Sequence, residues 1–129
     1  MAAEVREILD YRVEHEPELL ALLVREPDWQ EFMSAEGLPR FRAALRDTLT
    51  LVCFDDGRVC GYLRALVDGF GVYVSELYVA PAARRRGHGR ALLQHVRDAH
   101  AGQDVFVLSD EDAYYEKLGC ARVGSVFRL

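Results

Sequence analysis

The sequence predicts an α/β fold: a single domain over residues 1–129, with a mixed sheet flanked by helices. Three observations carry this expectation. The middle of the chain reads as antiparallel strands, TLVCFDDGRVCGYLRALV and then VYVSELYVA. Beyond Pro81 the pattern changes to helix, strand, helix and strand. The chain has 129 residues, enough for one core and short for two. One layered structure satisfies all three.

Each element has a local reason. VREILDY reads as a short first strand. Pro17 opens ELLALLVRE, in which Leu19, Leu20, Leu22, Leu23 and Val24 supply a helical apolar face, and Pro27 ends that helix or begins a turn. LPRFRAALRDTL places Leu38, Phe41, Leu45 and Leu49 at spacings of three and four, which predicts a second helix. Asp55-Asp56-Gly57-Arg58 joins two β-rich runs, and Asp-Gly between such runs is a strong hairpin signal. Gly69 and Gly71 mark the next turn. From Gly89 onward Leu92, Leu93, Val96 and Ala99 form a helical stripe. DVFVLS follows as a buried-type strand, then DEDAYYEKLG as a helix stopped by Gly119. RVGSVFRL is expected as a last strand.

Composition narrows the function. Half the residues are hydrophobic and 29% are charged, the balance of a soluble globular protein. No apolar run is long enough to span a bilayer, and the N-terminus lacks a signal-peptide core. No membrane association and a cytoplasmic location are therefore expected. Cys53, Cys60 and Cys120 form no CxxC pair, which argues against a disulfide framework and against a zinc site. His15, His95 and His100 show no ligand spacing, so no metal is expected. Sixteen basic against 21 acidic residues give a net charge of −5, which disfavours a general nucleic-acid surface.

Against that acidic background stands Arg84-Arg85-Arg86-Gly87-His88-Gly89-Arg90, placed after a strand and at the start of a helix. Unpaired N–H groups and the helix dipole make such a turn an anion site, and glycines allow close approach to the main chain. The competing reading is a solvated arginine-rich loop. The turn is not a P-loop, for no Gly-Lys-Ser/Thr follows. Nor is it G-x-G-x-x-G, because Leu92 occupies the third glycine position.

The segment VAPAARRRGHGRALL resembles the acetyl-CoA-binding motif of the GCN5-related N-acetyltransferases (GNAT), Q/R-x-x-G-x-G/A, and Tyr114 to Cys120, YYEKLGC, resembles that family's later F/Y-Y-E-K-L-G-F. The resemblance covers about the C-terminal half of the chain. It implies a sheet with antiparallel N-terminal strands and a splayed parallel central pair. It further implies acetyl-CoA as cosubstrate: the pyrophosphate on the turn from Arg84 through Arg85, Arg86, Gly87, His88, Gly89 and Arg90 to Ala91, and the pantetheine arm along Leu77, Tyr78 and Val79. His88 is expected as a loop filler or phosphate donor.

The implied reaction is acetyl transfer to an amine, small-molecule or peptide, by direct attack in a ternary complex. Tyr115 is then the acid that protonates the departing thiolate, and Tyr114 belongs to the core. Glu76 interrupts an apolar run and is the candidate base, acting through water; a salt bridge with an arginine is the competing reading. An N–H near Val79 would polarise the carbonyl. Departures from the family pattern are Arg85 where glycine is frequent, Ser109 to Asp112 where an asparagine often stands, Cys120 for phenylalanine, and one final strand instead of two. They keep open a non-catalytic acyl-CoA-binding module, and they imply substrate-binding parts that are reduced or supplied by a second subunit, as in a homodimer. Asp55, Asp56, Asp68, Glu111 and Asp112 are either attractors of a cationic amine or ordinary surface.

Overall fold

The computed structural model describes residues 5–129. Five strands form one sheet in the order β1-β2-β3-β4-β5: β1 Arg6–Asp10, β2 Leu49–Asp55, β3 Arg58–Val67, β4 Gly71–Val79 and β5 Asp104–Val107. The first four are antiparallel neighbours, and β5 joins β4 in parallel. The helices are α1 Glu16–Leu23, α2 Gln30–Met33, α3 Gly37–Asp47, α4 His88–Ala99 and α5 Asp112–Lys117. The expected architecture, antiparallel strands leading into a parallel pair, is the one observed. No described helix is long and apolar enough to cross a membrane.

Alternation along the strands divides the core into two layers. Val52, Val59, Tyr62 and Tyr78 pack against Leu19, Leu23, Phe41 and Leu45 of α1 and α3. Leu51, Cys53, Leu63, Ala65, Val72 and Val74 pack against Leu92 and Val96 of α4. The β2–β3 hairpin turns through Asp56 and Gly57, both with positive φ (50° and 80°), the geometry that makes Asp-Gly a hairpin signal. At its far end Asp68 accepts N–H bonds from Phe70 and Gly71 and shapes the β3–β4 turn.

Two irregularities position the site. In the β2–β3 ladder Cys53 faces Gly61 while Phe54 faces Val59, so Cys60 is an extra residue and β3 is bulged there. In the β3–β4 ladder Arg64 faces Glu76 while Ala65 faces Val74, so Ser75 is bulged in β4.

The expected last strand is not formed. Residues 119–129 carry no regular structure, and Val123, Val126 and Phe127 are 75%, 75% and 84% exposed. Gly119 turns the chain away at φ 87°. The edge that follows in the sheet order is the outer edge of β5, which is four residues long, and Gly124 interrupts the segment's apolar alternation. So short a pairing returns little against the cost of ordering the backbone.

Candidate functional site

The site begins where two paired strands part. β4 and β5 pair from Gly71 to Val74, and Leu108 N–H donates to Val74 O at 2.9 Å as the last rung. Ser75 then bulges, and beyond it β4 runs on without β5. Backbone groups alternate sides along an antiparallel strand. Ala80 N–H donates back toward β3, to Cys60 O at 2.7 Å. By alternation Tyr78 also faces β3, whereas the N–H and C=O groups of Leu77 and Val79 face the opened edge. The open stretch, Leu77 to Val79, is thus, among the described residues, a strand edge three residues long without a ladder partner.

Directly after it comes the arginine-rich turn. Pro81–Ala83 makes one 3-10 turn, Arg85 takes φ +65°, and Gly87 caps α4 at φ +81°. The first helical bond runs from Ala91 N–H to Gly87 O. The amides of His88, Gly89 and Arg90 precede it and have no acceptor within the helix. They point, with the positive end of the helix dipole, to where Arg84, Arg85, Arg86 and Arg90 lie exposed. Arg84 Nε also donates to Val79 O at 2.9 Å, joining the turn to the strand edge.

The turn is anchored from beneath. His88 is 3% exposed and begins the stripe that Leu92 and Val96 continue. Its Nε2 lies 3.3 Å from Asp55 Oδ2, and its Nδ1 accepts from Arg6 Nε at 2.9 Å. Arg86 Nη1 donates to the same Asp55 oxygen at 3.1 Å, and Arg6 Nη2 donates to Arg86 O at 2.6 Å. The His88 side chain is therefore an internal anchor and not a phosphate donor. Asp55 belongs to the same anchor and is not an acceptor-attracting surface charge. Sequence reasoning missed both roles. The signal for His88 was present: it stands four residues before Leu92 and eight before Val96, on the buried helical phase.

The two tyrosines of YYEKLG leave α5 in different directions, with their ring centroids 5.1 Å apart. A Cβ added to Gly89 would meet Tyr114 Oη at 2.2 Å and Leu77 Cδ2 at 3.8 Å, so Tyr114 closes over the turn beside the open strand. Tyr114 is 36% exposed and outside both core layers, contrary to its expected core role. The reason is helical phase: as immediate neighbours Tyr114 and Tyr115 cannot share one face, and their rings meet edge-on at 85°. Tyr115 lines a cavity of about 1280 Å³ with Gln94, Val105, Val107 and residues of the C-terminal segment. Burial first, and then the neighbouring Tyr114, push its phenol above the ordinary range. Burial also raises the Tyr114 phenol.

Glu76 sits at the bulge on the face toward α1 and α3. Arg64 holds it with two donors, Nε at 2.7 Å and Nη2 at 2.6 Å, and Tyr62 Oη donates at 3.2 Å. Trp29 Nε1 donates in turn to Tyr62 Oη at 2.8 Å. Hydrogen bonding to Glu76 raises the Arg64 pKa. The arginine pairing weighed from the sequence is thus present.

An open strand edge running into a glycine-arginine turn matches a known family. The family described as "Acetyltransferase (GNAT) domain" matches residues 46–119. The chain belongs to the GNAT family. It is 32% identical over 108 residues to a mycothiol acetyltransferase of Kineococcus radiotolerans, covering 81% of this chain and 36% of that protein. It is 36% identical over 114 residues to one of Amycolatopsis mediterranei, covering 85% and 37%. This GNAT chain therefore spans about a third of the length of the curated relatives it matches. Among solved structures, a GNAT family protein from Streptococcus pneumoniae superposes with TM-score 0.71 at 20% identity, covering 97% of this chain and 98% of that one. An aminoglycoside N-acetyltransferase in complex with CoA gives 0.73 at 18% identity, covering 99% and 95%. These two establish the shared GNAT fold.

Proposed function

We propose that this GNAT domain is an acetyl-CoA-dependent N-acetyltransferase whose acceptor is a small-molecule amine. The observation that carries the reading is the parting of β4 and β5 at the Ser75 bulge, immediately before the anion-binding turn. A pantetheine arm carries amide groups that can pair with the free edge at Leu77 and Val79 as an added strand would. The pyrophosphate fits the turn from Arg85 to Arg90, where the amides of His88, Gly89 and Arg90 have no acceptor within the helix, with Arg84, Arg86 and Arg90 supplying charge and Ala91 continuing the first turn of α4. Cofactor contacts are thus assigned to Leu77, Val79 and Arg84 to Ala91. Tyr78 contributes by fixing the strand from the buried side, where its hydroxyl donates to Glu26 at 3.1 Å.

In the reaction the amine nitrogen attacks the thioester carbon, the C–S bond breaks, and the thiolate takes a proton. An N–H of the open edge polarises the carbonyl. We assign the proton to Tyr115, the position that matches the family motif, whose ring turns from the cavity beside β5 toward the cleft to deliver it. A phenol is protonated at neutral pH, as an acid must be, and burial raises the Tyr115 pKa further. Tyr114, with its hydroxyl against Gly89, is assigned to the wall of the phosphate turn. Glu76 is the base we propose, receiving the amine proton through water. Its two bonds from Arg64 set its geometry. The names of the curated relatives support a small-molecule acceptor.

The test is release of free thiol from acetyl-CoA across a panel of small-molecule amines, led by mycothiol-related ones. Amine-dependent release that disappears in Gly89→Glu supports the assignment. Saturable CoA binding with no turnover on any amine overturns it in favour of a non-catalytic module.

A further inference from the structure

We propose that Cys53, Cys60 and His88 form a binding site for one thiophilic cation of the zinc(II) or copper(I) class, behind the phosphate turn and outside the acyl cleft. The sequence shows no ligand spacing because the three residues come from β2, β3 and the start of α4. The fold assembles them. One ligand atom from each lies within 4.8 Å of the other two, and all three residues are buried, at 0%, 5% and 3% exposure. The bulge at Cys60 brings this about, by turning its side chain to the α4 face beside Cys53.

The spacing suits the cation. Bonds of about 2.3 Å to sulfur and about 2.0 Å to nitrogen place tetrahedral ligands roughly 3.6–3.8 Å apart. Cys53 Sγ and His88 Nδ1 are already 3.8 Å apart, so closing the set requires movements of about 1 Å or less. Two sulfurs and one imidazole select soft or borderline cations over magnesium or calcium.

The histidine is oriented for the task. Its Nδ1 accepts a hydrogen bond from Arg6, so in the neutral ring the proton resides on Nε2, 3.3 Å from Asp55. A metal at Nδ1 needs that tautomer, with a carboxylate behind the other nitrogen. Asp55 Oδ1 is buried without a hydrogen-bond partner and so has further capacity to accept. Arg6 is the group that must withdraw. It already presents positive charge to Nδ1, and it reaches in from an exposed position on the edge strand β1. Metal entry exchanges one cation for another and releases two protons, one from each thiol.

The test uses the full chain, reduced, in a Cys120→Ser background, because Cys120 is an exposed thiol that would bind metal adventitiously. Cobalt(II) is the probe. One equivalent should bind with a thiolate-to-metal charge-transfer band, zinc(II) should displace it, and Tm should rise with zinc concentration. Asp55→Asn should weaken binding about tenfold, and Arg6→Ala should tighten it. No thiolate band in folded, reduced protein would overturn the proposal, as would a band that survives Cys53→Ser with Cys60→Ser. Should the serine variants fail to fold, the band in the Cys120→Ser background and its response to Asp55→Asn still decide.

Discussion

Arg85 holds a φ of +65°, a conformation that costs a side chain with a Cβ on the order of 1 kcal/mol and glycine little. This is the physical reason glycine is frequent at that place in the motif. Arg85→Gly should raise unfolding free energy by up to about 1 kcal/mol in urea titrations, while weakening CoA binding through the lost charge. The acid assignment is tested at the same scale. Tyr115→Phe should lower kcat about 100-fold with CoA affinity nearly unchanged, read from steady-state thiol release and from CoA titration. Because burial raises the Tyr115 pKa, the alkaline fall in wild-type kcat should lie above the ordinary tyrosine value. Single residues were unevenly legible. The turn glycines were readable from backbone demands alone, but the arginine partner of Glu76 depends on β-register, which no local pattern records.

The strand edge is the element on which the proposed function depends. Val79 N–H faces the open side, so replacing it removes no rung of the β3–β4 ladder. Val79→Pro should therefore leave the fold in place, as proline is tolerated where its missing N–H faces away from the sheet. CoA affinity should drop about tenfold, the worth of roughly one hydrogen bond; calorimetric titration checks it, and circular dichroism checks the fold. The strands and helices themselves were legible because each has a clear period and marked breakers, as in DDG and in the Leu92-Val96 stripe. The bulges at Cys60 and Ser75 were not. A bulge sets two residues of one strand against one of its partner, so it is a property of the pair that neither strand announces by itself. The C-terminal segment shows the opposite failure: RVGSVFRL has strand-like residues but lacks a partner long enough to fix it.

At the scale of the whole molecule, the layer beneath α1 and α3 is bound by tyrosines that donate to carboxylates. Burial and Glu16 push Tyr11 up to about 12, and burial and Glu26 push Tyr78 up to about 12. Both folded values exceed the ordinary value of 10.0, so the folded state retains protons that the unfolded state releases. Their contribution is complete below pH 10 and is lost as pH rises to about 12. The denaturation midpoint should fall across that window, and Tyr78→Phe should make the fall shallower. The proposed function also engages the whole molecule, since it needs one open edge and one turn to hold acetyl-CoA together. Backbone amide NMR on titration with CoA tests it most directly. Shifts should concentrate at Leu77 to Val79 and Arg84 to Ala91, with the amides of His88, Gly89 and Arg90 moving most. Shifts confined to the cavity beside β5, or none at saturating CoA, would contradict it.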